Sequence, residues 1–466
     1  MQLKKGQIIE FDVHALAFGG AGIGKYEGMT VFVDKTMPGD RVRAALTKIK
    51  PKYAEAKFEE LVSGSKDRCK EKCKYSGTCG GCQFQFMPYE SQLAFKKQQV
   101  IDAFERIGKI SSPPVEDVIG CKQQFYYRNK MEFTFGYDAN MKFVLGMHLP
   151  GRRYDILDLK ECHLQSELSS NIVNNVRDFI KGRGWQPFKY SCGKGFLRSL
   201  FIREAKPVRS PGGQTGEVMI NLATSDDMPD NFDEGVAEFV KMLTGLSSEI
   251  VSIYHTKIIS KRGQPKQIKE TLLHGKKSIT EKMVLENGDA LEFEILPQSF
   301  FQVNTPQAEI LYSKVIEFAG NQDHDVIFDL FCGTGTIGLF LAKHGGSVVG
   351  IELNEETVKI ARENAQRNKI FNIDFFTGDV NKMLDTVRER PSMIVVDPPR
   401  AGLTEKIIKQ INDFGANHLI YVSCNPSTLA RDCDWLRGYG FEVKKVQPVD
   451  MFPHTYHIEN VCLLER

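Results

Sequence analysis

In the stretch IYVSCNPSTLARD, residues 420–432, an apolar run (Ile420, Tyr421, Val422) ends in Ser423, and Cys424 stands just before an Asn425-Pro426 turn. Such a run reads as a buried strand, and open α/β sheets place their chemistry just past the carboxyl ends of strands. A thiol in that position suits covalent catalysis, which divides one difficult step into easier ones. Elsewhere a free cysteine is more often a small buried hydrophobe, a description that fits Cys433 and Cys462. A candidate base lies in MFPHTYHIENVCLLER, where Glu459 follows a Pro-His-Thr loop and precedes a terminal apolar strand. His454 and His457 are alternative bases, although lone histidines are more often structural.

The elements that would position these groups start at VIFDLFCGTGTIGLFLA, which reads as a strand, a glycine turn and the start of a helix. Gly333, Gly335 and Gly338 fit G-x-G-x-x-G, a pattern that lets backbone approach a ligand closely. Three further strands end in acids: Glu352 after VVGI, Asp379 after IDFFTG, and Asp397 after MIVV. Glu352 is placed to grip ribose hydroxyls, while Asp379 either lies near an adenine or only caps a turn. One glycine turn followed by a series of strand-end acids fits S-adenosylmethionine better than a dinucleotide. D-L-F-C-G-T-G-T with D-P-P-R resembles the class I methyltransferases.

Methyl transfer to C5 of a pyrimidine gives a thiol something to do. That carbon is not nucleophilic in the aromatic ring, but addition of a thiolate to C6 makes it so, and a base must afterwards remove the C5 proton. YVSCNPSTLARD, DPPRAGL, QSFFQVN and MFPHTYHIE resemble the signature motifs of the RNA uracil-5-methyltransferase family. The resemblance implies Cys424 as nucleophile and Glu459 as base. It also implies cofactor contacts from Gln302, Phe331, Glu352 and Asp397. Where ribosomal members often read G-M-G-N, this chain has Gly333-Thr334-Gly335-Thr336, so Thr336 is left outside the cofactor set.

RCKEKCKYSGTCGGCQFQF holds Cys69, Cys73, Cys79 and Cys82. Their spacing alone fits structural zinc or an iron–sulfur cluster. The resemblance implies a [4Fe-4S] cluster on Cys73, Cys79, Cys82 and Cys162 (the last from DILDLKECHL), with Cys69 a spare that spacing alone would let replace one of them. Residues 1 to about 62 alternate short β-type runs with glycine-rich turns, which suggests a small OB-like barrel or a generic β-module. This part resembles the TRAM domain. An aromatic–basic segment around Tyr126, Tyr127, Arg128 and Lys130 suits single-stranded RNA, by stacking and phosphate contact, or else a half-buried strand. The run His255–Lys277 is strongly basic.

The sequence therefore predicts an α/β protein in three parts: a TRAM-like barrel over 1–62, a central α+β iron–sulfur domain over 63–290, and a class I, Rossmann-like methyltransferase domain over 291–466. A helical segment at about 84–112 has the option of packing on the last of these. The formal net charge of +2 hides local asymmetry, so an RNA partner is argued from patches and motifs. No apolar stretch approaches the roughly 18 residues needed to span a bilayer. MQLKKGQIIEFDV has no apolar h-region, so no secretory signal and a cytoplasmic location are expected. There disulfides are rare, leaving the eleven cysteines for metal, catalysis or burial. The resemblance implies S-adenosylmethionine-dependent methylation of a uridine, with 23S ribosomal RNA the expected target and transfer RNA the alternative. A cytosine-5 enzyme would share the thiol logic but lacks its usual Pro-Cys or Thr-Cys motif here. A non-enzymatic RNA scaffold is disfavoured by the intact Cys424 and Glu459.

Overall fold

The computed structural model describes residues 3–152, 154–189, 192–205, 216–260, 263–264, 266–320 and 325–466. Lys261, Arg262 and Pro265 of the basic run lie outside that set. The chain forms two compact units, Met1–Gly77 with Gly81–Lys122 and Arg388–Arg466, and Thr78–Gly80 with Gln123–Val387. These units cut across the three-part division expected from sequence, because the first and last parts of the chain share one of them.

In the first unit, strands Ile8–Leu16, Gly22–Tyr26, Met29–Val33, Arg41–Ile49 and Tyr53–Ser63 close into a barrel. Period-two alternation sends Ile9, Phe11 and Val13 inward, where they meet Val31, Val33, Val42 and Leu46. Closure needs a bare backbone at Gly24, where a Cβ would lie 2.2 Å from the Phe11 ring. The same unit holds four strands in the order Met393–Val396, His418–Ser423, Glu459–Glu465, Glu442–Val449. The first pair runs parallel, and the Glu459–Glu465 strand is antiparallel to both of its neighbours. Met393–Val396 and His418–Ser423 are buried throughout, which explains why they read as unbroken apolar runs.

Helix Tyr89–Arg106 packs on helix Pro426–Arg437. The contact is close at Gly108, where a Cβ would meet the Ala430 carbonyl oxygen at 3.1 Å. Lys109 pairs with Asp434 at 2.7 Å beside it. Deeper in, Lys96 Nζ and Asp450 form a fully buried ion pair at 2.6 Å. Tyr89 donates its hydroxyl to the other Asp450 oxygen at 2.8 Å.

The second unit contains a seven-stranded mixed sheet spanning Lys130 to Gly275, in which Leu197–Ala205 and Glu217–Thr224 are central. It also contains a hairpin, Ile279–Val284 with Ala290–Ile295, and the helix Thr305–Ala319. Strands Ile373–Thr377, Ser347–Glu352 and Val326–Leu330 lie side by side and parallel, with helices Thr336–Lys343 and Glu355–Arg367 between them in sequence. Among the described residues no helix is long and apolar enough to cross a membrane.

Candidate active site

Three strand ends of the first unit converge on one chemistry. Ser423 pairs with Asn460 across the antiparallel strands, so Cys424, one residue further, comes opposite Glu459. On the other side, Val396 pairs with Tyr421 in parallel, and Asp397 follows at the adjacent strand end. The S-C-N-P residues build the turn that presents the thiol. The Asn425 N–H donates to Ser423 Oγ at 3.1 Å, and Asn425 Oδ1 accepts the Ser427 N–H at 3.1 Å as the cap of the following helix. Pro426 fills the first helical position, where a missing N–H is harmless. Asn425 also donates to the Arg400 carbonyl at 3.1 Å, and the Thr428 hydroxyl does so at 3.3 Å, so the D-P-P-R loop is tied to the cysteine turn. Further along, the Leu403 N–H donates to buried Asp432 at 2.7 Å. Gly402 has φ +74, and a Cβ there would lie 2.5 Å from Asp432 Oδ2.

Burial pushes the Cys424 thiol up to about 11, helped by the carboxyls of Glu459 and Asp397, while the Arg400 guanidinium opposes them through charge and a hydrogen bond. Burial likewise holds the Glu459 carboxyl well above the carboxylate range; Asp397 adds to the shift and Arg400 again opposes it. Asp397 keeps some surface open to solvent, yet desolvation of its carboxyl pushes it up to about 7. Arg400 is thus the cation shared by Cys424 and Glu459, whose negative charges burial and the neighbouring carboxyls disfavour. Sequence reasoning quoted it inside D-P-P-R but gave it no role. Its position one turn past a strand-end acid was the available signal.

The loop before Glu459 is held from behind. The His454 carbonyl accepts the N–H groups of Gln83 and Phe84 at 2.8 and 3.0 Å, and its own N–H donates to Gln92 Oε1 at 2.9 Å. His454 has φ +65, and its imidazole lies 3.3 Å from Gln92 Nε2. Burial lowers that imidazole to about 4, so it is neutral at pH 7 and shapes the loop. Cys433 and Cys462 are fully buried, consistent with packing.

In the second unit the glycine turn departs from the end of Val326–Leu330 with Phe331 at φ +64. Gly333 donates its N–H to Glu352 at 3.3 Å, which sets that carboxylate beside the turn. At Gly335 (φ +79) a Cβ would lie 2.6 Å from the Phe375 ring, whereas around Gly333 (φ +53) there is open space, as a backbone that receives a ligand requires. Asp329 accepts the Gly338 N–H at 2.9 Å and locks the start of the helix. Gln302 sits in the loop before Thr305–Ala319, its carbonyl accepting from Asn129 at 2.9 Å. Asp379 takes the N-cap position of the short helix Val380–Met383 without a side-chain cap bond. Of the expected cofactor contacts, Gln302, Phe331 and Glu352 therefore belong to the second unit. Asp397 belongs to the first, with Cys424 and Glu459.

One expectation changes. Tyr127 is only 1% exposed and belongs to the core, so it offers no face to a base. The hydroxyl of its neighbour Tyr126 lies 3.1 Å from His163 Nδ1. As for metal, Cys73 and Cys82 fall in the first unit and Cys79 and Cys162 in the second. Among the described residues no group of three or more His, Cys, Asp or Glu side chains is assembled as a metal site. Cys69 Sγ lies 3.4 Å from the Gln85 carbonyl.

The comparisons agree with this reading of the fold. A model of the tRNA (uracil-5-)-methyltransferase family matches residues 231–466, and one of the TRAM domain matches residues 2–58. An uncharacterized RNA methyltransferase of Clostridium acetobutylicum is 37% identical, covering 100% of this chain and 99% of its own. Another, from Caldanaerobacter subterraneus, is 36% identical with both chains covered in full. The crystal structure of the Pyrococcus abyssi tRNA (uracil-54, C5)-methyltransferase with S-adenosyl-L-homocysteine superposes with a TM-score of 0.75 at 28% identity, covering 98% of this chain and 99% of that one. The fold is that of an α/β methyltransferase carrying an N-terminal TRAM barrel. The chain belongs to the tRNA (uracil-5-)-methyltransferase family, whose reaction is methylation of uracil C5 in RNA.

Proposed function

We propose that the protein methylates C5 of a uridine in 23S ribosomal RNA, with S-adenosylmethionine as donor and a covalent Cys424 adduct on the path. The observation that carries the mechanism is the meeting of Cys424, Glu459 and Arg400 at neighbouring strand ends. When bound, S-adenosylmethionine supplies an electrophilic methyl group; Gln302, Phe331, Glu352 and Asp397 are the residues proposed to hold it. Cys424 Sγ, as a thiolate stabilised by the Arg400 guanidinium, bonds to C6. The electron pair displaced from the C5–C6 double bond makes C5 the nucleophile toward the methyl carbon. Glu459, as carboxylate, then takes the C5 proton, the C6–S bond breaks, and both the double bond and the thiolate are restored. A carboxyl held above its ordinary range is, once ionised, a stronger base than one in water.

Glu459→Gln keeps the shape and removes the base. With RNA and S-adenosylmethionine this variant should accumulate a protein–RNA adduct that survives denaturing electrophoresis and already carries the methyl group. Cys424→Ala should give neither adduct nor product. Normal turnover by Glu459→Gln would move the base elsewhere, with His457 next.

A second reading, transfer RNA as substrate, has its own support: the Pyrococcus transfer-RNA enzyme aligns with 98% of this chain, so the barrel does not separate the two targets. Mapping 5-methyluridine in both RNAs from a deletion strain separates them. The [4Fe-4S] reading of Cys73, Cys79, Cys82 and Cys162 rests on the motif alone, and iron analysis of anaerobically purified protein decides it.

A further inference from the structure

The turn between the first two barrel strands carries Phe18 outward, 54% exposed. Its ring stands 6.2 Å from that of Tyr456, edge to face at 69°. Tyr456 lies 4.2 Å from the His457 ring at 38°, and His457 lies 5.9 Å from Phe452. Tyr456, His457 and Phe452 are each part-exposed. A line of ring faces and edges therefore runs from the barrel to a point two residues before Glu459. The approach is built in: Gly20 has φ +90, and a Cβ there would lie 2.9 Å from the Phe84 ring and 3.6 Å from Tyr456 Cβ. Beside the line runs a groove of about 730 Å³, floored by Phe18, Phe32 and Phe95 and reaching Ser427, three residues past Cys424. That volume lies within the ~300–1,000 Å³ of ordinary ligand sites.

From this continuity we infer that Phe18 and Tyr456 form a stacking track for the unpaired nucleotides that flank the target uridine. The inference rests on the uridine-methylation reading and adds where the neighbouring bases go. A folded-out uridine cannot reach a strand-end thiol unless its neighbours also leave the helical stack, and exposed aromatic rings replace the stacking they lose. The groove is mainly apolar, which suits base faces; Arg106, the cation among its lining residues, is paired with Asp102 at 3.0 Å, so the lining offers little for a row of phosphates.

The test uses the full-length protein and two probes, a fluorescein-labelled 12-mer oligouridylate and an RNA transcript substituted with 5-fluorouridine. By anisotropy, Phe18→Ala and Tyr456→Ala should each weaken oligouridylate binding at least about fivefold. Phe18→Trp and Tyr456→Phe should retain it. The slope of log Kd against log salt should stay unchanged in all four, since no ion pair is lost. Unchanged affinity in both alanine variants overturns the track, as does an equal loss of affinity for duplex RNA. A drop in salt slope overturns it as well, in favour of phosphate contacts. The 5-fluorouridine probe, used with S-adenosylmethionine, keeps the two readings apart, because a methylated C5 that carries fluorine has no proton for the base to remove, and the Cys424 adduct should be trapped in the unsubstituted protein. Absence of that adduct removes the uridine-methylation reading; its presence with unchanged oligouridylate affinity in the variants removes only the track.

Discussion

Cys424 rests as a thiol. At a value of about 11, roughly one molecule in a thousand carries the thiolate at pH 8. Iodoacetamide alkylation of Cys424, followed by mass spectrometry of its peptide, should therefore rise without a plateau from pH 7 to 10. Removing the opposing cation, Arg400→Gln, should slow alkylation at pH 8 several-fold, and Arg400→Lys should restore most of it. An unaltered rate in Arg400→Gln would show that the guanidinium does not govern the thiol. At this scale the sequence was legible where position follows from a strand end, as in the placement of Cys424 opposite Glu459. It was not legible for Arg400, whose influence depends on a loop folding back over the cysteine turn through Asn425 and Thr428.

The elements carry a buried electrostatic joint. Lys96, Asp450 and Tyr89 tie helix Tyr89–Arg106 to the loop that leads to Glu459. Burial lowers the Lys96 ammonium, opposed by the attraction of Asp450. Removing either ion leaves an uncompensated buried charge, which costs about 3–5 kcal/mol, whereas losing the Tyr89 hydroxyl's hydrogen bond to the carboxylate costs about 1.5–3 kcal/mol. Lys96→Met should thus lower the urea midpoint more than Tyr89→Phe, and equal effects would count against a charged pair. Nothing in YESQLAFKKQQVIDAFER distinguishes Lys96 from the part-exposed Lys97 beside it, because only the tertiary partner does so. The helix and the βαβ alternation, by contrast, were readable from periodicity. The antiparallel return of the last two strands was not, since a buried run has the same composition in either direction.

Both units contain a buried neutral histidine, His454 in the first and His255 in the second, each lowered by burial to about 4 from 6.5. A base whose folded value is depressed binds more protons when unfolded. Its stabilisation is full above about pH 6.5 and is lost as pH falls toward 4. The buried Asp397 and Glu459 carboxyls, raised in the folded protein, act in the opposite sense over part of this range, so the readout is a difference. The urea midpoint of the parent relative to His454→Gln should be level from pH 7 to 8 and fall between 6.5 and 4, and a constant difference would contradict the buried neutral state. At the scale of the whole molecule, motifs located the barrel and the catalytic segment, but the compact units could not be read from them. Contacts such as Lys96 to Asp450 join residues more than 350 positions apart, and no local pattern announces them.

That same joint gives the protein a timetable. Gln123–Val387 emerges from the ribosome after Lys96 and before Asp450, so it can condense while its predecessor is still unfinished. The barrel strands carry their own pairing partners and can close early. The helix behind them cannot, for its lysine has no counter-ion and its glutamine no histidine backbone to hold until the loop carrying Asp450 and His454 is made. Only a chain translated past His454 can assemble the platform behind Glu459, so a product truncated before that point is left with the buried face of helix Tyr89–Arg106 exposed, a mark that proteases and chaperones read.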